Sequence, residues 1–265
     1  MQISRLVWEW LAAGEYTGRL LSRHDHSLNL IDDAGRVLTL LRPMLPMGPF
    51  AIKLPTAAFP TAACWPDFSR AVRLSLGSAH SDLDLQAAVI WEPVIAWPPP
   101  AQWAPWFLPM LTPYAAWPAL SQQPIALADQ LRTRASRLQA AWRNGVAVEA
   151  AMVALFGLGN GLTPAGDDYL LGCIAAHLSS HSHLPMNLPK ISLQTKTTVL
   201  SAAFLLAAQQ GAFVEPWHKL AQALATADVA AANTALQQIA GQGATSGQDA
   251  LAGFAQTLIY AKDNR

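Results

Sequence analysis

Between Trp91 and Pro118 the chain carries five tryptophans and eight prolines. Each proline lacks a backbone N–H and fixes φ, so this density forbids a regular helix or a central strand. The segment reads as a connector packed by its own aromatic side chains, with an aromatic docking surface for another subunit as the alternative. It divides two differently patterned halves. Upstream, short apolar runs at 19–22, 27–31, 37–41, 50–54, 71–76 and 87–91 predict strands. Asp32-Asp33-Ala34-Gly35 supplies a hairpin turn between two of them. Asn29, Gly48 and Pro49 suggest a turn and little else. Downstream, alanine content and a 3.6-residue period predict helices over 125–144, 146–156, 164–180, 192–210, 217–226, 228–240 and 247–262. The expected class is α+β. Residues 1–118 would form a β-rich domain, an antiparallel sheet or partly open barrel with its Trp/Pro connector, and residues 119–265 an all-helical domain.

The segment Phe156-Gly157-Leu158-Gly159-Asn160-Gly161-Leu162-Thr163-Pro164-Ala165-Gly166-Asp167-Asp168 joins a glycine-rich turn, a helix start and two adjacent carboxylates. Thr163-Pro164 reads as an N-cap followed by proline at the first helical position. The unpaired amides and positive dipole end of such a helix attract anions. Acids in a first turn also complement the dipole, so ordinary capping explains part of the pattern. A related pattern recurs at Gly243-Ala244-Thr245-Ser246-Gly247-Gln248-Asp249, where Thr245 or Ser246 can cap the final helix. Aligning Asp168 with Asp249 places Gly172 over Gly253. Two such helix starts could converge on one ligand, or the two glycines could simply let helices pack closely.

With 265 residues the chain can bury a sizeable core. Its formal net charge of zero removes the electrostatic case for nucleic acid or an anionic membrane, and neither partner is expected. No apolar run approaches the roughly 18 residues of a membrane span. Cys64 and Cys173 are the only cysteines, without metal-ligand spacing. Together with an N-terminus that lacks a secretory pattern, they point to the cytoplasm.

His177, His181 and His183 fall at a predicted helix end and its loop, where histidine is unremarkable, and no metal site is assigned to them. Arg132, Arg134, Arg137 and Arg143 share one predicted helix, as a solvated face or as an attractor of phosphate or carboxylate. The glycine-rich segment carries no lysine and follows a predicted helix, so neither a phosphate loop of the nucleotide-binding type nor a dinucleotide fold is supported. No Gly-x-Ser-x-Gly nucleophile elbow appears.

On Gly157 to Asp168, Thr245-Ser246-Gly247-x-Asp249 and the weaker pattern at Asn29, Asp33-Ala34-Gly35 and Gly48-Pro49, the chain resembles the domain-of-unknown-function 2877 family. That family looks like the source of one subunit of the three-subunit oxamate carbamoyltransferase of allantoin breakdown. The resemblance implies passage of a carbamoyl group between oxamate and phosphate, by way of carbamoyl phosphate and oxalurate, in company with other subunits. In the narrower subunit pattern a histidine stands at the position of Gly166, so here the chain follows the general family form. The expected function is thus a subunit of a carbamoyltransferase-type enzyme, with a non-catalytic assembly subunit, or a free-standing enzyme for another small acid or amide, as alternatives. The amides of Gly159, Asn160 and Gly161 and the Thr163 hydroxyl would bind an oxyanion beside Gly166. Asp167 and Asp168 would be the catalytic acids, orienting an amide nitrogen or a magnesium ion. Thr245, Ser246, Gly247 and Asp249 would close the pocket.

Overall fold

The computed structural model describes residues 1–56, 72–75, 83, 85, 87–180, 188–189 and 193–262. Cys64, His181 and His183 lie outside them, as do parts of the strand expected at 71–76 and of the helix expected at 192–210. Two compact units emerge: Met1–Val94 with Ala212–Glu215, and Ile95–Gly211 with Pro216–Arg265.

The first unit is built on a curled, mixed sheet of seven strands, a half-barrel. Its strands are β1 (Gln2–Ser4), β2 (Tyr16–Arg23), β3 (Ser27–Asp32), β4 (Val37–Leu41), β5 (Ala51–Lys53), β6 (Val72–Leu74) and β7 (Val89–Trp91), in the order β6-β2-β3-β4-β5-β1-β7. β2, β3 and β4 form an antiparallel meander. Its second turn is the Asp32–Gly35 hairpin: Gly35 takes φ +78°, and Asp32 accepts from both the backbone N and the Nε of Arg36. Two neighbour pairs, β4 with β5 and β1 with β7, run parallel. Residues 42–50 carry the chain back beside β4 before β5 begins, which a tight hairpin would not do. Asn29 is no turn residue. It sits inside β3, almost fully buried, donating to Ser22 Oγ at 2.8 Å and accepting from Thr39 Oγ1 at 2.7 Å. The amide is thereby satisfied in the middle of the sheet. Helix α1 (Arg5–Ala13) buries Val7 and Leu11, one turn apart.

The second unit is helical: α2 (Pro100–Phe107), α3 (Thr112–Ala115), α4 (Ile125–Asn144), α5 (Val148–Val153), α6 (Ala165–Ser179), α7 (Val199–Gln209), α8 (Glu215–Thr226, its first residue grouped with the first unit), α9 (Val229–Ala240) and α10 (Ser246–Lys262). Here the Trp/Pro segment departs from the expectation that it holds no helix. Pro100 opens α2, and Pro109, Pro113 and Pro118 each stand in the first turn of a short helical piece. Such starts leave the missing N–H without cost, so dense proline breaks the segment into short helical pieces without abolishing helix, and only Pro105 stands inside one of them, α2. Trp97 and Trp217 pack against Phe254, and Trp103 meets Phe107 edge-on. These rings belong to the core of the helical unit.

At its centre α6 is buried nearly all round and lies against α10. A Cβ added to Gly172 would stand 1.7 Å from the carbonyl oxygen of Ala250, and one on Gly253 would stand 2.0 Å from that of Tyr169. The aligned glycines are thus the two sides of one helix crossing, closer than any side chain permits.

Candidate functional site

The loop ahead of α6 folds over the start of that helix. Gly157, Gly159 and Gly161 all take positive φ, at +68°, +131° and +89°. Pro164 itself occupies the cap position of α6, and no side chain caps it. Thr163 stands one residue earlier, and its hydroxyl meets Ser246 Oγ at 2.8 Å. The expected Thr163 cap is therefore replaced by a bridge between the two glycine-rich segments. Ser246 begins α10 and Thr245 precedes it, its carbonyl accepting from Asp249 N at 2.9 Å.

Three amides near the start of α6 are spent inside the protein. Gly166 N donates to Leu158 O, and Asp167 N and Asp168 N to Pro164 O. The loop amides differ: among the described residues, nothing accepts from Gly159 N, Asn160 N or Gly161 N, and Asn160 and Gly161 are exposed. Successive open amides in a loop of positive-φ glycines form a concavity suited to an anion. Gly166 and Gly247 serve packing, since a Cβ there would fall 2.2 Å from Leu155 O and 1.8 Å from Ile239 O respectively.

Three aspartates stand under this rim with different surroundings. Asp167 accepts from Gly157 N at 3.1 Å, from Ser201 Oγ at 3.0 Å and from the Thr197 hydroxyl. Burial raises its pKa, and these donors partly offset the rise. Asp168 is pushed well above the usual carboxylate range. Burial is the main cause and the neighbouring Asp249 and Asp167 charges add to it, against the hydroxyls of Ser246 and Thr163. Asp249 rises to about 6, again through burial, opposed by the Trp117 indole and the Thr245 hydroxyl. Its Oδ1 accepts from Trp117 Nε1 at 2.6 Å. Asp168 Oδ2 and Asp249 Oδ2 are both buried without a hydrogen-bond partner. Buried oxygens of this kind have acceptor capacity left for a ligand or an ordered water. A protonated carboxyl there can donate as well as accept.

A family model described as oxamate carbamoyltransferase subunit AllH matches residues 155–258, and another described as the AllH family N-terminal domain matches residues 1–83. The chain belongs to the AllH family. No curated protein and no solved structure matches it. The first match contains both glycine-rich segments and all three aspartates of this AllH-family chain.

The sequence reading missed the partners that set the three acids apart in this AllH-family site. Trp117 lies 132 positions from Asp249 and adopts φ +55°. Thr197 and Ser201 reach Asp167 from the start of α7, where Thr198 caps the helix through Ser201 N. Thr198 directly ahead of an apolar run was the available N-cap signal for that helix start. Nothing local announced the long-range bonds. Among the described residues, no group of three or more His, Cys, Asp or Glu is placed to hold a metal ion, and no helix is long and apolar enough to cross a membrane. Cys173 is buried and free, its thiol pushed up to about 12 by burial, which makes it inert as a nucleophile at neutral pH.

Proposed function

We propose that this AllH-family chain is a subunit of a carbamoyltransferase of the oxamate type, and that loop 159–161 holds the anionic group of a small carboxylate or phosphate ligand. The observation that carries the reading is the match of the oxamate carbamoyltransferase subunit family across both glycine-rich segments, which the Thr163–Ser246 contact joins at 2.8 Å. In the reaction, the amide nitrogen of oxamate attacks the carbamoyl carbon of carbamoyl phosphate. The C–O bond to phosphate breaks, phosphate leaves with the electron pair, and the nitrogen releases a proton to give oxalurate; phosphorolysis is the reverse.

The open amides of Gly159, Asn160 and Gly161 and the hydroxyls of Thr163, Thr245 and Ser246 stabilise the anion. Asp168, whose burial disfavours its charged form, donates a hydrogen bond to the anion when protonated, without the repulsion that an ionised carboxylate would bring. Asp167, already holding three donors, is a positioning residue that ties the loop to α7. Asp249 closes the pocket. Titration calorimetry of the purified chain with phosphate, carbamoyl phosphate and oxamate, with and without magnesium, tests this. Saturable heat that weakens about ten-fold or more in Asp168→Ala yet persists in Asp168→Asn supports a neutral donor. Equal binding by wild type and Asp168→Ala would sink it. The close packing at Gly166, Gly172, Gly247 and Gly253 favours a second reading, a non-catalytic assembly subunit, and heat with none of the ligands would select it.

A further inference from the structure

On the helical unit, away from the glycine-rich loop, a cavity of about 500 Å³ is bounded by α4, α10 and residues 115–120. Its volume lies in the range of small-molecule sites. Four polar side chains from α4 line it, Arg132, Ser136, Gln139 and Arg143, spaced four, three and four residues apart on a single stripe of the helix. Tyr260 and Gln256 face them from α10, one turn apart, while alanine and leucine side chains supply apolar wall. None of the lining residues is acidic.

The floor of the cavity is polar and hydrogen-bonded. Gln139, almost fully buried, donates through Nε2 to Tyr169 Oη at 2.8 Å and to Thr257 Oγ1 at 3.1 Å. Tyr169 Oη donates in turn to Gln256 Oε1 at 2.7 Å, and Gln256 Nε2 to Ala115 O at 2.8 Å. Such a network holds the walls in place before any ligand arrives, which lowers the ordering cost of binding.

At the two ends stand the cations. Arg143 lies over the Tyr260 ring, 5.7 Å from its centroid. Arg132 pairs with Asp129 at 2.8 Å, but both members are mostly exposed, so that pair holds the guanidinium only weakly. Eleven residues of helix at 1.5 Å each separate the two arginines by about 16 Å, and their side chains lean the same way along the helix. Once about 3 Å is taken at each end for a guanidinium–carboxylate bond, the remaining span is about 10 Å.

We propose that this cavity is a second ligand site, taking an elongated organic dianion with one acidic group against Arg132, the other against Arg143, and an apolar or amide-bearing middle along Ser136 and Gln139. The cavity is lined by other residues than the glycine-rich loop, with Trp117 between the cavity and Asp249, and nothing in the carbamoyl-transfer reading requires it.

A series of straight-chain dicarboxylates measures the spacing directly. Titration calorimetry with succinate, adipate and suberate, and with octanoate as the single-anion control, is expected to show affinity rising with length. Suberate should bind about ten-fold or more tighter than succinate or octanoate. Arg132→Gln and Arg143→Gln should each reduce suberate binding to the level of octanoate, and Ser136→Trp, which fills an exposed wall position, should abolish it. Asp168→Ala should leave suberate binding unchanged, which separates this site from the loop. Suberate binding that is absent in wild type, equal to that of octanoate, or unaffected in the Arg132→Gln/Arg143→Gln double variant would overturn the proposal.

Discussion

The two glycine-rich helix starts share a letter pattern whose glycines divide between close packing and an open turn. Ahead of α6, a Cβ on Gly161 would meet open space, whereas one on Gly159 would stand 2.6 Å from Ala165 N and one on Gly166 2.2 Å from Leu155 O. At the start of α10, Gly247 is pressed against the carbonyl of Ile239. The acids divide in the same way. Asp167 is saturated by donors, whereas Asp168 and Asp249 each keep one orphaned oxygen. A glycine-rich motif therefore holds two populations of residue, one serving close packing and one available to a ligand, and the spacing of the letters alone does not separate them.

The sharpest way to break this comparison is to add side chains at both starts. Gly247→Val should cost about 3 kcal/mol or more, because backbone cannot yield to the new methyls. Gly161→Ala should cost only about 1–2 kcal/mol, the strain of a left-handed conformation without a clash. Thermal unfolding by circular dichroism ranks the two, and equal losses would erase the distinction.

Next comes the contrast between neighbouring acids. Asp167→Ala strips the acceptor from three donors and should destabilise by about 2–3 kcal/mol. Asp168→Ala should leave stability at neutral pH unchanged or raised, since it removes a buried acid with an orphaned oxygen. Urea denaturation at fixed pH reads both.

A pH series sharpens the same point for Asp249. Its folded pKa of about 6 lies above the ordinary aspartate value of 3.8, so between those values the folded state binds more protons than the unfolded one. Stability is then full below about 4 and falls as pH rises through about 6, with no further loss from this group above that. Asp249→Asn should flatten that slope while still accepting from Trp117, and an unchanged slope would remove Asp249 as its source. The smallest expected effect lies at the bridge. Thr163→Val or Ser246→Ala should cost about 1 kcal/mol each, and a double-mutant cycle should return a coupling of about 0.5–1 kcal/mol.

Much of this was legible in the sequence because helix signals are local. The period and alanine content of 125–144 and 228–240 mark α4 and α9 to within a residue, and the Asp32–Gly35 turn sits where its residues require. Leu6, Val7, Trp10 and Leu11 carry a helical spacing that went unread, and α1 lies there. Other features had no local signature. Asn29 looks like a turn residue until Ser22 and Thr39 flank it across two strand pairings. Proline density reads as a veto on helix, yet Pro100, Pro109, Pro113 and Pro118 each stand in the first turn of a helical piece. The site is the extreme case: the acids, glycines and hydroxyls are visible in order, but burial and the Trp117, Thr197 and Ser201 contacts set the three acids apart.

Trp117 gives the molecule its own reporter. Its indole N–H is bonded to Asp249, its ring stacks on Tyr169 at 4.6 Å, and its side chain also lines the arginine-flanked cavity. In a nitrogen–proton correlation spectrum that one indole resonance should move when Asp249 titrates and again when a dianion occupies the cavity. A single nucleus would thus register events on both sides of one tryptophan, with no label beyond nitrogen-15.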